Sequence, residues 1–197
     1  MTNRTDRRPM RLTAFAAMTV AVLALVGCGR SNDHDHPMDE GGPTQSLTVP
    51  ADPTLPEPFS SVDQSDPEAV MVAAAQALFS YTPGADTNQI DAANRAAPLL
   101  DERYYTDNAS SFIALAPITG RQWESWRERS AVATATATAT VTADNHPEDK
   151  PAKVSRVVAV TVTAVDAGGR EIDRVPFAAY MTATKLGVWR VSAVMVR

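Results

Sequence analysis

Only one thiol occurs in the 197 residues, Cys28, and it directly follows Leu25-Val26-Gly27. A cysteine preceded by a small residue, with apolar residues before that, suits thioether transfer of a diacylglyceryl group and cleavage in front of the modified residue. The chemistry expected at Cys28 is therefore acylation, with Leu25, Val26, Gly27 and Cys28 as a signal peptidase II motif. Asp33-His34-Asp35-His36 presents imidazoles and carboxylates that suit zinc or copper. It lies in a polar stretch without a second shell to orient the ligands, so it is read as solvated spacer, and no metal or other cofactor is expected. A third group is aromatic. Trp123 and Trp126 stand three apart beside Arg121, Arg127 and Arg129, the aromatic-plus-arginine composition of interface hot spots. With Tyr104, Tyr105, Tyr180 and Trp189 they could line the mouth of a concave site or simply fill a core otherwise made of alanine and valine.

Acid–base chemistry finds no support. The predicted apolar strand faces carry no acid, and His146, in a polar loop, is the only histidine after the spacer, so no general base is foreseen. Nucleophile-elbow and glycine-rich phosphate motifs are also missing from the sequence. The expectation is a protein that is not an enzyme.

The elements that place these residues begin with an address. Arg4, Arg7, Arg8 and Arg11 precede residues 12–27, which contain no charge and no proline, the order of an export signal. Sixteen residues fall short of the roughly 20 needed to span a bilayer as a helix. Residues 1–27 are thus read as a bacterial lipoprotein signal peptide, and Cys28 as the membrane anchor on the extracytoplasmic face of the plasma membrane. Two acyl chains on that cysteine would meet the two-signal requirement for stable anchoring. Arginine outnumbers lysine fifteen to three, and alanine is abundant, a bias of GC-rich genomes that suggests an actinobacterium.

Residues 28–64 are read as a disordered, Pro-rich acidic tether. They hold few large apolar side chains, and in 29–66 Arg30 alone faces eight carboxylates. From residue 67 onward thirteen basic and fourteen acidic residues nearly cancel, and no basic stripe marks a nucleic-acid site.

Residues 65–197 suit one α+β domain. Ser65-Asp66-Pro67-Glu68 predicts a helix start, with Ser65 or Asp66 as N-cap, and Val70, Ala74, Ala77, Leu78 and Tyr81 follow helical spacing. Thr87 or Asn88 caps a second helix in which Ile90, Ala93 and Ala97 share a face, with a third around residues 110–115 and a fourth carrying the Trp pair. After Ser130 the period becomes 2: an Ala/Thr strand over 131–140, a Val-rich strand, a third strand with Val175, Phe177, Ala179, Met181 and Ala183 on its apolar face, and a fourth with Trp189, Val191, Ala193 and Met195. The identical Ala-Thr repeats leave the first strand's register for its neighbours to decide. Helices followed by four meandering strands predict N-terminal helices packed on a curved four-stranded antiparallel sheet.

That arrangement, with the closing Gly187-Val188-Trp189-Arg190-Val191 strand, resembles the nuclear transport factor 2-like superfamily. The stretch 74–105 is similar to the envelope domains of actinobacterial Mce-associated proteins and of type IV secretion and conjugation scaffold subunits. The chain departs from those families in carrying a lipoprotein signal and tether where they have a transmembrane helix. The resemblance implies a cone-like, non-catalytic accessory or scaffold module that binds another envelope protein in secretion or transport. The alternative it implies is a carrier or sensor of a small apolar ligand in the cone mouth, and the contact residues foreseen in either case are Trp123, Trp126, Tyr104, Tyr180 and Trp189.

Overall fold

The structure is a computed structural model and describes residues 53–129 and 134–197. Cys28 with its motif, the His34/His36 segment and the expected start of the first strand at 131–133 lie outside the described residues.

Helix α1, Pro67–Leu78, begins where the sequence places it: Asp66 is the N-cap, its carboxylate accepts from the Glu68 amide at 2.8 Å, and Pro67 occupies the first turn. Its buried face holds Val70, Met71, Ala74, Ala75 and Leu78. Tyr81 lies beyond the helix end, buried, and exchanges two backbone hydrogen bonds with Ala135. Helix α2, Ile90–Ala96, follows a turn in which Asn88 Oδ1 accepts from the Ile90 amide. A short 3₁₀ turn at Ala97–Leu99 carries Pro98. The sequence did not suggest α3, Glu102–Asp107, capped by Asp101, and the helix expected near 110–115 is the 3₁₀ segment Ala109–Ala114. Helix α4, Gly120–Arg129, opens with a reciprocal pair in which Gln122 Oε1 accepts from the Thr119 amide and Thr119 Oγ1 accepts from the Gln122 amide.

Strands β1 (Thr134–Val141), β2 (Lys153–Val165), β3 (Glu171–Leu186) and β4 (Val188–Val196) form one antiparallel meander in the order β1-β2-β3-β4. The α+β class and the four-stranded antiparallel sheet are as expected. Ala135 and Ala137 point inward and the threonines outward, and β1 is held in register by the Tyr81 bridge and by Ser80 Oγ, which accepts from the Ala137 amide at 3.0 Å. Buried side chains of α1, α2 and the inner sheet face, including Val158, Val160, Val162, Ala179, Met181 and Val191, belong to one apolar cluster.

Two expectations change here. The fourth strand's inward set was to continue through Ala193 and Met195, yet these are exposed, and Val194 and Val196 pack against the core instead. Thr182 pairs with Ala193 while Ala183 pairs with Val191, so Ser192 is an extra residue in the ladder and reverses the alternation beyond it. The domain boundary at Ser65 also moves. Leu55 is buried, Phe59 and Val62 pack against the core, and Gln64 bonds to Pro53 and to Arg190. Proline and acid content disguised this: Leu55, Phe59 and Val62 are spaced four and three apart, an apolar pattern that composition alone does not register.

Candidate functional site

The aromatic residues expected to gather at one mouth are distributed over the domain. Trp126 is 1% exposed and its Nε1–H donates to Asp173 Oδ2 at 3.1 Å; Trp123 is buried and stands edge-on to Tyr81 with ring centroids 5.6 Å apart. The partner contact proposed for the Trp123/Trp126 face is thus corrected: both rings pack inside, because a helix with both indoles on one side and only polar residues elsewhere must turn that side to the core. Trp189 is also buried, with the Lys185 ammonium 5.8 Å from its ring centroid. Tyr104 is half-buried, and its hydroxyl accepts from the Val194 amide at 3.1 Å, which closes part of the outer edge of β4. Burial raises the Tyr104 phenol above its ordinary value and keeps it neutral. Tyr105 donates to Asn94 Oδ1 at 2.8 Å.

Tyr180 alone of the group is exposed, at 41%, and it faces the side of the sheet away from the helices. It pairs with Val157 on β2 and with Met195 on β4, so the three side chains form one row across three strands. Ser155, Thr182 and Ala193 form the next row, with the Ser155 and Thr182 hydroxyls 2.9 Å apart. Asn145, His146 and Pro147 of the β1–β2 loop make a wall beside these rows, and the enclosed cleft measures about 390 Å³. The guanidinium of Arg197 lies 5.6 Å from the Tyr180 ring centroid. Met195 is available to this row only because of the extra residue at Ser192; in an unbroken ladder it would point inward.

Arg156 holds the loop wall in place. It donates to both oxygens of Asp149 at 2.7 Å, to Glu68 of α1 at 2.6 Å, and through Nη1 approaches His146 Nδ1 at 3.2 Å. The hydrogen bond with Asp149 raises the Arg156 guanidinium further above its ordinary value, and the same bond holds the Asp149 carboxyl below the usual range. Both groups stay charged across physiological pH.

Two carboxylates escaped the sequence reasoning. Asp173 pairs with Ala164 and shares its inner face, contrary to the expectation that no acid lies there; it accepts from the indole of Trp126 and from Gln122 Nε2 at 3.4 Å. Its partner lies 47 residues away, so no local pattern announces it. Asp86 is buried, with a bidentate contact from Arg95 at 2.6 and 3.0 Å and a bond from the Thr82 amide at 2.8 Å. Hydrogen bonding to Asp86 raises the Arg95 guanidinium above its ordinary value. The i, i+9 spacing gives no helix-face signal. Neither acid lines the outer cleft.

A second, larger groove of about 590 Å³ runs between residues 57–62 and α1, with Phe59, Val62, Ala73 and Ala77 in its walls and Arg95 at its rim. Among the described residues no group of three histidine, cysteine or acidic side chains is disposed to hold a metal ion, and no helix is long and apolar enough to cross a membrane. No family model matches the chain, and no curated protein or solved structure does either.

Proposed function

We propose that the protein is a lipid-anchored, non-catalytic binding module of the cell envelope that engages another envelope protein through the outer face of its sheet. The observation that carries this is the Val157–Tyr180–Met195 row: Tyr180 and Met195 are exposed beside the buried Val157 on the outer sheet face, with an arginine over the tyrosine ring. Tyrosine and arginine are the residue types enriched where binding energy concentrates. The anchor follows from Cys28 and the apolar run before it. A cone of the nuclear transport factor 2 type, with a curved sheet wrapped by the helices, would leave this outer face free for a partner.

The cleft's volume supports a second use, since pockets of roughly 300–1,000 Å³ accept small molecules. An apolar ligand would then lie on Val157, Tyr180 and Met195 with its polar end at Ser155 and Thr182.

The test is a Tyr180→Ala/Met195→Ala double variant of the full chain, checked by thermal melting and then by co-purification from detergent-solubilised membranes. Retained folding with loss of a co-purifying envelope protein supports the module. Loss instead of a small apolar molecule, detected by mass spectrometry, moves the assignment to a carrier; an unchanged complement of both removes the outer face from function.

A further inference from the structure

The chain's three lysines, Lys150, Lys153 and Lys185, meet at one end of the sheet. Lys150 and Lys153 exchange backbone bonds of 2.9 and 3.1 Å, Lys153 pairs with Thr184, and the Lys185 amide donates to Ala152 at 3.0 Å. In a chain that uses arginine for every other cation, residues far apart in sequence bring all the lysines to a single tip. Arg95, Arg103, Arg127, Arg156, Arg170 and Arg174 each meet a carboxylate, whereas the three lysines, like Arg121, Arg129, Arg190 and Arg197, form no ion pair among the described residues. Glu148 is the nearby exposed acid, and Asp149 is engaged by Arg156.

Beside the lysines the β3–β4 hairpin turns through Leu186 and Gly187, whose φ of 88° suits the tight turn. Leu186 is 86% exposed, the most exposed large apolar side chain described. The same end receives residues 53–64: Trp189 donates its amide to Gln64 O, and Gln64 Nε2 donates to Pro53 O.

We infer that this tip rests on an anionic bilayer surface, with Leu186 inserted among the headgroups and Lys150, Lys153 and Lys185 against lipid phosphates. Cations without carboxylate partners, Lys185 among them although its ammonium lies 5.8 Å from the Trp189 ring centroid, stand beside a protruding leucine and match such a surface in both charge and polarity. The inference rests on the anchor at Cys28 for bringing the domain to a bilayer, and the charge and polarity of the tip choose which end faces it. The outer cleft would then stand beside the bilayer, presented sideways to a membrane-embedded partner.

The experiment uses the full chain in vesicles with brominated acyl chains, of phosphatidylcholine alone or with phosphatidylglycerol, and a Leu186→Trp variant. The added tryptophan emission is expected to be quenched in the anionic vesicles only, and quenching should be relieved by about 0.5 M salt, which shortens the screening length to a few ångströms. Lys150→Gln/Lys153→Gln/Lys185→Gln should also relieve it, each lysine contributing about fivefold to partitioning. These positions are exposed, so unchanged melting confirms folding. Equal emission in the two vesicle types, or quenching that survives the triple substitution, overturns the inference. Flotation separates the anchor from the tip. A chain that fails to float with neutral vesicles has lost the anchor, and lysine-dependent flotation with anionic vesicles would then still support the tip, whereas flotation with neither would refute it.

Discussion

The two faces of the sheet are built from the same strands yet behave as different materials. The inner face carries alanine and valine, which let α1 approach closely, and larger rings fill what remains; its one acid, Asp173, is bonded to Trp126. The outer face is threonine and alanine over β1 and much of β2, and gathers bulk where Val157, Tyr180 and Met195 line up and again at Leu186 and Val188 beside the β3–β4 turn. Side chains with full packing and satisfied polar atoms are there for stability, whereas Tyr180 and Met195, exposed side by side next to the buried Val157, form a patch that packing does not require.

The sharpest way to break that contrast is to delete the largest ring on each side. Trp126→Ala should cost about 3–5 kcal/mol in urea unfolding, since it empties a fully buried indole site and removes the closer of the two side-chain donors to Asp173 Oδ2. Tyr180→Ala should cost no more than about 1 kcal/mol. Similar losses from the two variants would mean that the outer row is core.

A smaller effect probes the extra residue at Ser192, which divides the faces along β4. Val194→Ser should lose about 1 kcal/mol in the same measurement, and Met195→Ser no more than about 0.5 kcal/mol. The reverse order would restore the unbroken alternation and remove Met195 from the outer cleft.

The smallest effect concerns the loop that walls the cleft. Asp149 is held below the ordinary carboxylate range by its hydrogen bond to Arg156, so the unfolded chain takes up its proton first as pH falls. Its contribution is complete above the unfolded value of about 4 and is lost as pH drops through the lower folded value. Melting temperatures recorded from about pH 6 to pH 3 should therefore fall less steeply for Asp149→Asn than for the parent. Identical slopes would show that the loop wall does not depend on this pair.

Much of the fold was legible in the sequence because its signals are local. Asp66-Pro67 starts a helix through one short hydrogen bond and one fixed φ, and the period-2 runs after residue 130 need no partner to be recognised. The candidate site was less legible. Trp123 and Trp126 share a helix side in any environment, but whether that side meets solvent or core depends on what covers it. Tyr180 was expected among the contact residues and is exposed, whereas the residues that adjoin it, Val157 and Met195, had no signal, since cross-strand rows join residues that are remote in sequence. The packing of residues 53–64 was hidden by their prolines and acids, although three apolar side chains suffice to hold the segment.

By itself the sequence determined the helix caps, the strand periods and the meander order. Each is a property of neighbouring residues: backbone geometry sets the period, and short connections make consecutive strands adjacent. Only the tertiary structure decided which face of β4 turns inward beyond Ser192, that Asp173 serves Trp126, and that three scattered lysines share one tip with an exposed leucine. Those outcomes depend on register, and in this chain register is set by contacts such as Tyr81 with Ala135, because the Ala-Thr repeat of β1 reads the same after every two-residue slip.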